Sequence, residues 1–210
     1  HKGAVMRFAG FAMRLGGALI ALVVLVLPAQ ATQEYTLPTL FDVTGVARND
    51  VLNVRAQPRA GAAIIGTLPR DAKRIEVVAH DTTGRWGRVN LAEQSGWVSM
   101  RFLAYRTDVW NDGALPRTLR CFGTEPFWSF VPARKGIVFS TPDRPEKAIA
   151  ARVLSRGVFR EPRRVVTGSG LTAVIVPLAC SDGMSDMVFG LDVTVVRDGA
   201  VLTGCCSLAP

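Results

Sequence analysis

The sequence predicts an all-β protein of two modules: a small barrel or sandwich, then a second, mostly antiparallel β domain stapled by disulfides. Three observations carry that expectation. Short runs of alternating apolar residues are cut at frequent intervals by Gly, Pro, Asn and Asp, the punctuation of strands and tight turns. No stretch keeps the apolar period of a long helix. All four cysteines lie beyond residue 120, and two of them, Cys205 and Cys206, are neighbours.

The N-terminus stands apart. Lys2, Arg7 and Arg14 precede the uncharged stretch "LGGALIALVVLVLPAQA", which ends in Ala29-Gln30-Ala31. A basic start, a short apolar core and a small-x-small close are the features of a secretory signal peptide, so residues 1–31 are expected to direct export, with cleavage after Ala31. The apolar core, 15–27, is shorter than the roughly 20 residues that span a bilayer. Left uncleaved, this segment would be the one membrane contact expected. Of the formal net charge of +8 at pH 7, three positive charges and no negative one belong to it, so the remainder carries +5. That mild balance, spread over scattered arginines, favours acidic envelope polymers or anionic head groups as partners. Nucleic acid is not expected, because no helix-turn-helix or aromatic RNA-binding pattern is present.

The first module, 36–105, is a series of short runs: "DVLNVRAQP", "AAIIGTLP", "KRIEVVAH", "RWGRVNL" and "SGWVSMRFL". In "LNVR" the period of two puts Leu52 and Val54 on one face, toward the core, and Asn53 and Arg55 on the other. Gly66 and Gly96 are expected at turn or bulge positions where a side chain would clash. Trp97 is expected in the core, where a large aromatic contributes most to a small module. Trp86 either packs inward or forms a platform for a sugar or peptide.

The series Leu52-Asn53-Val54-Arg55, Pro58, Ile65 to Pro69 ("IGTLP"), Trp86-Gly87-Arg88-Val89, Gly96-Trp97-Val98 and Phe102-Leu103 resembles a bacterial SH3-type (SH3b) domain. It covers about a third of the chain. The acidic aromatic motif of eukaryotic SH3 domains is missing, so binding of proline helices is not carried over. The resemblance implies an SH3-like barrel that binds a cell-wall peptide or glycan, or an envelope protein, with Trp86, Arg88 and Tyr105 as candidate contacts.

Residues 106–119 contain Asp112-Gly113 and a proline and read as a linker or packed connection, which Trp110 is placed to dock. Strand candidates follow at 127–131, 136–141, 148–154, 171–178, 187–196 and 200–205. "KAIAARVLSR" is compatible with a short helix instead. "VTVVRDGAVLTG" signals a hairpin, because Asp198-Gly199 supplies the positive dihedrals of a tight turn. Cys121 to Trp128 ("CFGTEPFW"), Cys180 to Asp186 ("CSDGMSD") and Gly204-Cys205 resemble the motifs of an uncharacterised family of bacterial envelope proteins. That resemblance covers 120–210 and implies no activity.

Adjacent cysteines are poorly placed to bond to one another. Consecutive Cα atoms lie about 3.8 Å apart whereas disulfides span about 4.4–6.8 Å, and neighbours on a strand point to opposite faces. Of the three connectivities open to four cysteines, the one joining Cys205 to Cys206 is disfavoured. Cys121 and Cys180 are each expected to pair with one of the terminal two, and the choice between them stays open. A zinc or redox centre would want C-x-x-C spacing, which is absent, so no metal or cofactor is expected.

Catalysis is not expected either. His80 is the one histidine beyond the export segment, it lies in the first module as a turn or surface residue, and the staple leaves no thiol to pair with it. Glu125, Asp182 and Asp186 are candidate ligand contacts near the disulfides. Two of them, Glu125 and Asp182, would suffice for an alternative reading as an envelope glycoside hydrolase. A further alternative is an inhibitor of wall-degrading enzymes. The favoured expectation is a non-catalytic exported protein of the bacterial periplasm or envelope.

Overall fold

The computed structural model describes residues 35–209, together with Gly3; the expected export segment otherwise lies outside the described residues. The first half carries β1 (Thr39–Val43), β2 (Leu52–Arg55), β3 (Ile64–Leu68), β4 (Ile75–Val77), β5 (Ala79–His80), β6 (Trp86–Leu91), β7 (Gln94–Ser99) and β8 (Leu103–Tyr105). They form a three-stranded sheet, β4-β1-β8, and a five-stranded one, β3-β2-β7-β6-β5. Both sheets face one core. Phe41, Val43 and Val77 come from the first, and Leu52, Val54, Leu68, Val89 and Val98 from the second. Leu52 and Val54 point inward while Asn53 and Arg55 are half-exposed, as period two requires. The β2–β3 register shifts between Val54 and Arg55, so Ile65 is the extra residue of a bulge beside Gly66.

The second half carries β9 (Arg120–Thr124), β10 (Phe127–Ala133), β11 (Gly136–Thr141), β12 (Arg144–Leu154), β13 (Arg164–Gly168), β14 (Leu171–Val176), β15 (Leu191–Arg197) and β16 (Ala200–Ser207). Each pairs antiparallel with the next, and β16 returns to β9, which closes an eight-stranded barrel. "KAIAARVLSR" is therefore strand, most of it in β12, because the barrel needs a wall there and Ile149 supplies a core residue. Asp198 and Gly199 take φ of 49° and 81° in the tight β15–β16 turn. Trp128, Phe130 and Phe139 stack inside the barrel, with interplanar angles of 16° and 8° from Trp128 to the other two. Eight strands leave an interior just wide enough for such side chains.

The disulfides resolve the open pairing. Cys121 bonds Cys206, directly opposite it across the closing β9–β16 pair, with Cα atoms 4.0 Å apart. Cys180 bonds Cys205, which faces the opposite way, and so ties the 177–190 connection to the barrel's outer wall. No cysteine is free.

The two halves share a seam. Leu40 of β1 is wholly buried in the core of the second barrel, together with Val109, Trp110 and Leu119 from the connecting segment. Trp110 Nε1–H donates to the Pro38 carbonyl (2.8 Å). A side chain at Gly190 would meet Pro38 Cβ at 2.8 Å, so the close approach there requires glycine. On β4, Glu76 is buried and accepts hydrogen bonds from Ser207 Oγ (2.7 Å) and the Ala209 N–H (3.2 Å). No helix among the described residues is long and apolar enough to cross a membrane.

Candidate functional site

The candidate face is built by β6, β7 and β2. Gly87 and Val89 of β6 and Gly96 and Val98 of β7 point inward, so Trp86, Arg88 and Asn90 share the outer face with Ser95, Trp97 and Ser99. Trp97 is accordingly half-buried on the outside and not in the core, contrary to the expectation from its size. The reason is the neighbour. A Cβ at Gly96 would stand 2.4 Å from Val54 Cγ1 and 2.8 Å from Ile65 Cδ1, so the chain comes too close to the core there to admit a side chain. Strand alternation then turns Trp97 outward.

Arg88 and Trp97 are directly opposed across the ladder, with the guanidinium carbon 5.9 Å from the indole centroid. Arg55 pairs with Trp97 from the other side and donates through Nη1 to the Ala62 carbonyl (2.8 Å). Trp86 is the diagonal neighbour of Trp97. Its N–H donates to Asp81 Oδ1 (2.9 Å), and the Asp81 N–H donates back to the Trp86 carbonyl (3.0 Å), which fixes the strand start while the indole stays half-exposed. The Asp81 carboxyl is held below the usual range chiefly by the Thr83 hydroxyl. Chemically, this is a pair of flat apolar surfaces with a cation between them. It can stack on a sugar ring or peptide and pair with a carboxylate.

Tyr105 does not join this face. It lies on β8 in the other sheet, with ring centroids 4.7 Å from Tyr35 and 5.8 Å from Phe41, and it packs against the core. His80 is not a turn residue but belongs to β5. It is half-buried, with the Tyr35 hydroxyl 3.4 Å from Nε2. Burial lowers its pKa, and Asp81 opposes that shift.

Asp182 and Asp186 sit in the disulfide-pinned connection between β14 and β15, and Asp182 shapes the loop. Asp182 Oδ1 accepts from the N–H groups of Met184 and Ser185, both at 3.0 Å, and from Ser185 Oγ (3.1 Å). Burial would raise this carboxyl, but those hydrogen bonds hold it below its ordinary value. The Asp186 N–H donates to the Glu93 carbonyl (3.1 Å) on the β6–β7 turn of the first module. Glu125 is exposed in the β9–β10 turn. Thr124 beside it donates to the Asp182 carbonyl (3.2 Å), so the two turns abut.

Between these turns and the β6–β7 tip runs a groove of about 890 Å³, lined by Phe122, Phe127, Met184, Met187, Asn90 and Glu93 among others. Phe127 and Met184 are 54% and 69% exposed. Sequence reasoning passed over these apolar walls, although "EPFW" and "DGMSD" each place a large apolar residue next to a turn-former. Asn90 links groove and face: its side chain donates to the Val188 carbonyl (3.0 Å) and accepts from Ser95 Oγ (2.6 Å). Among the described residues no group of three or more His, Cys, Asp or Glu is placed to hold a metal ion.

Comparison with curated proteins and with solved structures finds no match. Residues 50–104, from the turn before β2 into β8 and including the whole Trp86–Arg88–Trp97 face, match the bacterial SH3 domain.

Proposed function

We propose that this protein is a non-catalytic binding protein of the bacterial envelope, which holds a cell-wall peptide or glycan on the outer face of its SH3 domain. The observation that carries the reading is the half-exposed Trp86–Arg88–Trp97 stripe on a domain of the bacterial SH3 family, whose members commonly bind cell-wall components. Two disulfides are consistent with an oxidising compartment outside the cytoplasm. Asp182 is poorly suited to general-acid work, which needs a carboxyl raised above its ordinary value, because its hydrogen bonds push it down. The second barrel serves as a rigid support against which the SH3 domain is braced.

The test is co-sedimentation of the full chain with isolated sacculi. Trp86→Ala and Arg88→Ala are each expected to weaken binding by about tenfold, in line with the loss of an aromatic or arginine anchor, without changing the thermal transition. Unaltered binding in both variants would overturn the site. Release of soluble wall fragments by the parent protein, abolished by Glu125→Gln, would overturn the non-catalytic reading.

A further inference from the structure

The segment between β12 and β13, "SRGVFREPR", projects from the end of the second barrel that faces the seam. At its tip Val158 is 53% exposed and Phe159 75%, the latter more than any other large apolar residue among those described. Nothing in the core uses them. The base of the loop is firmly held. Arg164 is buried, donates to the carbonyls of Ala114 (3.0 Å) and Asn111 (2.9 Å), and lies over the Trp110 ring at 5.1 Å. Glu161 accepts from the Arg163 N–H (3.1 Å). A rigid base with an apolar tip is a presented surface, not a loose end.

Cations surround the tip. Arg156 and Arg160 flank Val158-Phe159 in sequence, and the Arg160 guanidinium lies over the Phe159 ring at 4.2 Å and near Tyr105 at 5.4 Å. Ser155, at the loop's start, accepts from the Gly113 N–H (3.0 Å) and donates to Asp112. Gly113 opens a cleft of about 860 Å³, whose charged lining is Arg117, Arg134, Lys135 and Arg152, with no acidic residue. None of these four, nor Arg156, makes an ion pair among the described residues. Asp112 is engaged by Ser155, and Glu161 is paired with Arg163 at 3.5 Å.

We propose that this end of the barrel docks on the surface of an anionic lipid bilayer, with Val158 and Phe159 entering the interface and the arginines meeting the head groups. The occupant follows from the combination. A polyanionic polymer would satisfy the cations but leave the apolar tip in water, whereas a bilayer interface takes both. The surface is distinct from the Trp86–Arg88–Trp97 face, so the protein can hold the wall with one side and the membrane with another.

The experiment places a reporter at the tip. In the full chain carrying Phe159→Trp, the added emission is expected to shift to the blue on vesicles of phosphatidylglycerol and phosphatidylcholine. Lipids brominated on their upper chain should quench it, and pure phosphatidylcholine or high salt should leave it unchanged. This readout reports the depth of residue 159 itself. Arg117→Glu combined with Arg152→Glu should raise the vesicle concentration needed for half-maximal quenching by about tenfold. An emission that brominated vesicles do not quench overturns the proposal. So does quenching equal on neutral and anionic vesicles, or protein captured by soluble polyphosphate with the tip still in water.

Discussion

The two modules carry eight strands each but differ in how they are closed. The first wraps two small sheets around eight buried side chains and has no covalent cross-link. The second has the larger core, nineteen residues among those described, and yet carries both disulfides. Core size therefore does not explain the staples; topology does. A closed meander must join its first strand to its last, and the β9–β16 pair holds only three opposed residue pairs, against seven for β15–β16. Cys121–Cys206 lies in that short pair, and closes a loop whose ends are 85 residues apart. Cys180–Cys205 then fixes the long 177–190 connection that the SH3 domain leans on. The lesson is that one covalent bond stands where strand closure spans the most chain and the other pins a long connection, while the smaller module is braced by its neighbour.

That contrast can be broken in a definite order. Replacing Cys121 and Cys206 together by serine should cause the largest loss, about 4 kcal/mol on the chain-entropy account. Denaturant unfolding would show it, and the same replacement of Cys180 and Cys205, which close only 25 residues, should cost less. The opposite ranking would sink the closure argument. Next comes Leu40→Ala, a change in β1 that empties space in the second barrel's core; it should cost about 3 kcal/mol. If the seam couples the halves, one cooperative transition moves down; two separate transitions would show that each barrel stands alone.

Gly96→Ala should cost about 2 kcal/mol by overpacking, because the new methyl meets Val54 and Ile65 at under 3 Å. The effect belongs to the first module, and thermal scans should place it in that same single transition. The smallest effect is expected from Glu76→Gln. Burial raises the Glu76 carboxyl, against hydrogen bonds from Ser207 and the Leu208 and Ala209 backbone that act the other way. A carboxyl raised in the folded state binds its proton more tightly there. Its contribution is thus complete below the ordinary value near 4.5 and is lost as pH rises through the raised one. The glutamine variant should flatten the decline of the melting temperature with rising pH. A parent protein whose stability climbs over that window would contradict the assignment.

Much of the fold was legible before any coordinates. "LNVR" declared its inner face, Asp198-Gly199 its hairpin, and the doubled cysteine its two separate partners, since strand alternation forbids neighbours to share a side. The candidate site was only half legible. Trp86 and Arg88 fall on one strand face because they are two residues apart, but Trp97 was placed inside when the glycine before it had taken the inward position. Tyr105 is drawn away by Tyr35 and Phe41, partners on other segments. Asp182 shapes its own loop through hydrogen bonds to residues two and three positions on, yet nothing local shows that this loop meets the β6–β7 tip.

By itself, then, the sequence determined the strand class, the alternation of faces, the tight turns and the segregation of sulfur into the second half. These follow from the local chemistry of a few consecutive residues. Only the tertiary structure decided which cysteine met which, that Leu40 would leave its own module to fill another's core, and that Val158 and Phe159 would stay in the open beside a basic cleft. Period two assigns a side chain to a face. What covers that face depends on strands far away in the chain, and their register is set by the packing of the whole.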